Sequence, residues 1–124
     1  MPRRSPRRAL GGAIAGLLLL IAIPALAAER AAVLQGLDKV TARVSTFTAE
    51  IDKPVRFGTL EITVRACQKH PPEEPPESAA FLEIRELRLG EQPKNLFSGW
   101  MFASSPALNP LQHPVYDVWV LDCK

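Results

Sequence analysis

From Leu60 to Ala66 the apolar residues Leu60, Ile62, Val64 and Ala66 alternate with Glu61, Thr63 and Arg65. Successive side chains of a strand point to opposite faces, so all seven positions fit one strand with a single buried face. Val115 to Cys123 is rich in β-branched and aromatic residues, with apolar groups of both parities. That composition suits a central strand covered on both sides. Two further segments read as strands whose phase slips. Val40, Ala42 and Val44 share one parity and Phe47, Ala49 and Ile51 the other, while Ala80, Leu82 and Ile84 give way to Leu87 and Leu89. A one-residue slip exchanges the faces, so a β-bulge or a bend between sheets is expected in each.

Prolines punctuate this pattern. Pro71, Pro72, Pro75 and Pro76 stand among Glu73, Glu74 and Glu77, and proline removes the donors that a ladder needs. The stretch from His70 to Ser78 therefore reads as a stiff, exposed loop of polyproline II character. Asp52-Lys53-Pro54 and Phe57-Gly58 supply turn chemistry between the strands. Ser105 before Pro106 has the form of an N-cap, but Pro110 leaves room for about one turn. No repeat and no long helix is visible. The expectation is an all-β domain, a small sandwich or partly open barrel of about six to seven strands.

The first residues carry an address. Arg3, Arg4, Arg7 and Arg8 precede the uncharged apolar run Ala9 to Ile23, and Ala25-Leu26-Ala27 follows Pro24. This is the layout of a secretory signal peptide over residues 1–27, cleaved after Ala27, with a single β-rich domain over 28–124 in the periplasm. The apolar run is too short to span a bilayer, so no transmembrane segment is expected after cleavage. The formal charge of +2 comes from those arginines; without them 11 basic residues face 13 acidic ones, which gives no case for nucleic acid.

Export also sets the redox context. Cys67 and Cys123 are the two cysteines, and in an oxidising compartment they are expected to bridge. A loop with a sequence separation of 56 would gain about 4 kcal/mol in the chain-entropy account. One conflict stands out: Cys67 has the parity of the polar face Glu61, Thr63, Arg65. Burying the bridge requires the strand to end, to bulge or to have that face partly covered.

Catalytic signatures such as HExxH, GxSxG and the P-loop are missing, and no cofactor motif is present. His113, Asp117 and Ser104 or Ser105 are the residue types of a hydrolytic triad, and His70, the acidic loop and His113 those of a metal site, but neither set has a diagnostic spacing. No metal site is expected. The richest surface runs from Leu96 to His113. There Phe97, Gly99 and Met101 alternate with Ser98, Trp100 and Phe102, which puts large groups on both faces. Exposed aromatics anchor protein or sugar partners, and Trp100, beside Gly99, is the best candidate for exposure. Asp117, within the most apolar strand, needs a partner such as Arg65 or Arg43, or an open face.

LQGLDKVTARV (Leu34 to Val44), FGTLEITVRAC (Phe57 to Cys67), PPEEPPESAAFLEI (Pro71 to Ile84) and FSGWMFASSPALNPLQHPVYDVWVLDC (Phe97 to Cys123) resemble the domain of unknown function 2155 family, small exported proteins of alphaproteobacterial-type envelopes. The resemblance implies a compact exported domain with two cysteines and no established activity, with residues 96–123 as its signature. The functional expectation is a non-catalytic periplasmic module that binds another cell-envelope protein through Trp100, Met101, Phe102, His113, Tyr116 and Asp117. A glycan- or peptidoglycan-binding domain is the alternative, and a hydrolase a weaker one.

Overall fold

Seven antiparallel strands in two open sheets form the protein in a computed structural model that describes residues 16–18 and 29–124. The Ala27 cleavage point and most of the segment read as a signal peptide lie outside the described residues. The strands are β1 (Ala31–Asp38), β2 (Arg43–Glu50), β3 (Val55–Phe57), β4 (Leu60–Lys69), β5 (Ser78–Glu86), β6 (Lys94–Phe102) and β7 (Tyr116–Cys123). They assemble as a three-stranded sheet, β2-β1-β7, and a four-stranded sheet, β3-β4-β5-β6. Inner-face side chains of both sheets share one core, so the architecture is a sandwich.

The alternation in the sequence builds that core directly. Leu60, Ile62 and Val64 of β4 and Leu82 and Ile84 of β5 are buried, opposite Leu34 of β1 and Val118 and Val120 of β7. Each such side chain contributes roughly 1.5–3 kcal/mol when taken out of water. β5 alternates without a break, with Ser78, Ala80, Leu82, Ile84 and Glu86 all inward.

Bulges explain where parity fails. The β4–β5 register shifts between Val64 and Ala66, leaving Arg65 as the extra residue and rotating Cys67 to the core side. That resolves the parity conflict at the cysteine, and Cys67 and Cys123 are bridged, with Cα atoms 5.7 Å apart. On β7 the register with β1 skips Leu121, so Val118 and Val120 face inward and Cys123 does so as well. The apolar residues of both parities in β7 therefore reflect a bulge and not coverage on two sides. β7 is an edge strand of its sheet, beside β1 alone.

The expected slips are corrected. Residues 40–51 hold no bulge: Val40 and Ala42 belong to the turn between β1 and β2, and Ala42 has φ of 58°. Asp38 Oδ1 accepts from the Val40 and Thr41 N–H groups at 2.9 and 3.2 Å, an Asx turn that fixes the loop. Leu87 and Leu89 lie past the end of β5, and the nearby bulge is on β6 at Leu96. Ser105 starts a single turn, closed by Leu108 N–H donating to its carbonyl at 3.0 Å, with no helix.

The two ends of the sandwich are closed differently. At one end, beside the disulfide, Asp122 Oδ1 accepts from Lys69 Nζ (3.0 Å), Ser78 Oγ (3.2 Å) and the Cys123 N–H (2.9 Å). Lys69 first, then the other donors, hold the Asp122 carboxyl below its ordinary value against the opposing effect of burial. The proline loop folds over this end. His70 N–H donates to the Glu77 carbonyl at 2.9 Å, and Glu77 accepts from the Ser104 hydroxyl and, at 3.0 Å, the Ser104 N–H. At the other end, rings stack between the sheets. Phe57 packs on Phe47 (centroids 5.6 Å apart) and meets Tyr116 edge-on at 5.4 Å. A Cβ on Gly36 would lie 2.6 Å from the Phe57 ring, so the missing side chain in β1 is what admits it.

Candidate functional site

The residues read as one binding surface sort into three places. Met101 points into the core and is 4% exposed. Trp100 and Phe102 stand on the outer face of the four-stranded sheet, half-buried. His113, Tyr116 and Asp117 gather at the end away from the disulfide.

The outer face is built by register. Ala66, Phe81 and Trp100 are cross-strand partners on β4, β5 and β6, and Gln68, Ala79 and Phe102 form the next row. Phe81 and Trp100 meet edge to face with centroids 5.6 Å apart, the favourable quadrupolar arrangement. The two rows thus give an apolar platform with three aromatic rings. Phe81 is absent from the candidates drawn from sequence, although its position between Ala80 and Leu82 places it on the outer face. Beyond the platform the same face turns ionic. Arg85 pairs with Glu61 at 2.6 Å, and Arg65 with Asp52 and Glu83 at 2.9 and 3.3 Å. A cleft of about 590 Å³ lies over this charged half, lined in part by Thr63, Arg65, Glu83 and Ser98.

The free edge of β6 beside the platform is covered. Asn109 Nδ2 donates to the Trp100 carbonyl at 2.9 Å, satisfying a group that an edge strand leaves open. A Cβ on Gly99 would come within 2.9 Å of that Nδ2, so glycine at 99 lets the loop close down. The aromatic platform is therefore held on a sheet whose edge is tied in place. A second cleft, of about 1440 Å³, opens between the proline loop and the disulfide end, with Lys69, His70, Glu74 and Leu121 among its walls.

His113 has a structural task. Its Nδ1 accepts from the Val115 and Tyr116 N–H groups at 3.0 and 3.1 Å. Two donors on Nδ1 place the ring proton on Nε2, which donates to Glu86 Oε2 at 2.5 Å. This hydrogen bond is the largest cause holding the Glu86 carboxyl below its ordinary value; Thr59 and Arg88 add to it and burial opposes it. The ring also packs on Tyr116, with centroids 5.2 Å apart. Tyr116 in turn covers Gly58, where a Cβ would overlap its hydroxyl oxygen.

The triad residue types are not brought together. The Ser104 hydroxyl bonds to Glu77, His113 to Glu86, and Asp117 pairs with Lys39 at 3.2 Å. The Asp117 partner is thus Lys39, not Arg65 or Arg43. Arg65 is engaged by Asp52 and Glu83 on the other sheet, and Arg43 lies across β1 from Asp117. Among the described residues, no group of three or more His, Cys, Asp or Glu side chains could hold a metal ion. His70 bonds instead to the Pro75 carbonyl at 3.0 Å, within its own loop.

Comparison with known proteins gives a family without a reaction. The family model for an uncharacterized protein conserved in bacteria, DUF2155, matches residues 32–123. An uncharacterized protein of Rickettsia prowazekii (strain Madrid E), RP359, is 30% identical over 87 residues, which is 70% of this chain and 56% of the relative. The chain thus spans little more than half of that relative's length. No solved structure matches. With its match running from β1 to the bridged cysteine of β7, the chain belongs to the DUF2155 family.

Proposed function

We propose that this protein is an exported, non-catalytic module that binds another protein of the cell envelope, and that the outer face of the four-stranded sheet is where it does so. The observation that carries the reading is the platform of Phe81, Trp100 and Phe102, three rings left half-buried on a sheet face while Met101, between two of them, fills the core. Aromatic groups on a rigid base, bordered by ion pairs, have the composition of an interface centre with a polar rim. The titratable groups that a reaction would draw on are used in holding the fold. His113 caps two backbone N–H groups and binds Glu86, and Glu77 is bound to the Ser104 turn.

The reading is tested with a photo-activated cross-linker placed in living cells at Ser98, on the outer face one row from Trp100. The expected result is one discrete adduct with an envelope protein, lost on Trp100→Ala, and none from the same probe at Thr46 on the other sheet's outer face. Equal labelling from both faces, or none from either, contradicts it. Sedimentation of the protein with purified peptidoglycan, lost on Trp100→Ala, would replace the protein partner with a glycan.

A further inference from the structure

The charges that find no partner within this fold are divided unevenly between its ends, although Arg30 and Lys124 stand with the acidic residues of the disulfide end. Among the described residues, Arg30, Arg43, Arg56, Lys94 and Lys124 are the basic side chains in no ion pair. Three of them, Arg43, Arg56 and Lys94, stand at the His113 end, on β2, β3 and β6 beside the turns that close it. The acidic side chains there are largely occupied. Asp38 is bonded into its own turn, Asp117 is paired with Lys39, Glu61, which stands across from Arg56, is paired with Arg85, and Glu86 is buried under His113 and Arg88, which leaves Glu91. The opposite end carries Glu29 and the proline loop with Glu73, Glu74 and Glu77, none of them paired to a lysine or arginine among the described residues.

Within residues 29–124 the two most exposed large apolar side chains stand at this end, while Leu108, 69% exposed in the loop between β6 and β7, and Leu121, 39% exposed beside the disulfide, lie elsewhere. Leu89, in the loop between β5 and β6, is fully exposed, and Val40, in the turn between β1 and β2, is 76% exposed. Val44, next to Arg43, is 55% exposed. Both loops stand on a fixed base. Lys39 Nζ donates to the His113 carbonyl at 2.8 Å, His113 holds Glu86, and Leu87 N–H donates to the Thr59 carbonyl at 2.8 Å. The backbone bond from Arg30 N–H to the Lys124 carbonyl, 2.9 Å, puts the start and the end of the described domain at the other, acidic end.

We infer that the His113 end docks on an anionic lipid surface, with Val40 and Leu89 entering the headgroup layer and Arg43, Arg56 and Lys94 meeting lipid phosphates. Cations placed around isolated apolar side chains are what such a surface recognises, because it offers diffuse negative charge above a deformable apolar layer. A protein partner instead needs a contiguous, shape-matched apolar centre, which separate loop tips do not present. Docked this way, the protein would turn its acidic end away from the lipid charge and leave the aromatic face of the four-stranded sheet, on the side of the sandwich, open to its partner. The inference rests on different residues from those of the proposed partner site, so either can fail alone.

The test is co-sedimentation of the protein, expressed from its full sequence, with vesicles of phosphatidylglycerol and phosphatidylcholine in equal parts, against phosphatidylcholine alone. The expected result is binding to the anionic vesicles only, weakened by salt and reduced about fivefold by Arg43→Gln, the effect of one basic residue at such a surface. Val40→Asp combined with Leu89→Asp abolishes binding and leaves the thermal melt unchanged, since both side chains are in solvent. A folded parent that does not sediment with the anionic vesicles overturns the inference. So does binding that survives both high salt and the double substitution, because it would come from another part of the chain.

Discussion

The two ends of this sandwich are held by opposite means. The disulfide end is closed covalently, with Asp122 collecting three donors around the bridge, and carries an acidic loop stiffened by four prolines. The His113 end is closed by one imidazole, a carboxylate and a stack of rings fitted over glycines. Small domains lack the core to hold long loops by burial alone. One end meets that shortage with a cross-link that limits the unfolded chain, the other with buried polar groups that satisfy one another. The difference predicts that substitutions at the two ends will act through different states of the chain.

The largest effect belongs to the bridge. Replacing Cys67 and Cys123 together with serine should cost about 4 kcal/mol, most of it through the freed unfolded state. Denaturant titration of the oxidised and variant proteins checks the figure. A loss of under about 1 kcal/mol would mean that the two ends do not differ as described. Next comes His113→Ala, which removes the acceptor for two backbone N–H groups and the donor to Glu86. With roughly 1–3 kcal/mol for each buried group left unpaired and partial rescue by water, about 3 kcal/mol is expected. Hydrogen exchange sharpens the contrast, since protection should fall at Val115 and Tyr116 and hold around the bridge.

Gly58→Ala tests the ring fit at the same end. Gly58 has φ of 59° and its absent Cβ is covered by Tyr116, so strain and displacement together should cost about 2 kcal/mol. In a Tyr116→Ala background the same substitution should cost less, because only the backbone share then remains. The mildest effect is on pH dependence. The Glu86 and Asp122 carboxyls are both held below their ordinary values, 4.5 and 3.8, so each contributes stability that is present above those values and lost as pH falls through the lower native ones. Glu86→Gln should therefore flatten the acid limb of stability below about pH 4.5. An unchanged limb would assign the acid sensitivity to the disulfide end.

Much of this fold is legible in the sequence alone, and the rest is hidden for definite physical reasons. The all-β class and the bridge follow from alternation and from two cysteines in a chain read as exported. β1 leaves no such trace because its inward positions Ala32, Leu34 and Gly36 hold two small residues, a face too faint to read as a strand. Its glycine is explained only by Phe57 of the other sheet. Bulges defeat parity reasoning in general: the conflict at Cys67 leaves an ended strand, a bulge or a covered face equally open, and the register shift at Arg65 selects the bulge. The outward placement of Trp100 and Phe102 can be read from their alternation with Met101. The grouping of Trp100 with His113 and Asp117 cannot, since nearness in sequence says nothing about which end of a strand or which loop a residue reaches. The Asp117 partner, Lys39, lies far away in sequence and meets it through the β1–β7 pairing.

The central claim is that the aromatic platform is built for contact and not for folding, and two neighbouring residues of β6 test it most directly. Met101→Ala and Trp100→Ala are to be compared by denaturant titration of the purified protein. Met101 is in the core, so its truncation should cost about 3 kcal/mol. Trp100 loses mainly its edge-to-face contact with Phe81, so about 1 kcal/mol is expected despite its larger size. A Trp100→Ala loss equal to or greater than that of Met101→Ala would make the outer face part of the fold's own support and remove the reason for assigning it to a partner.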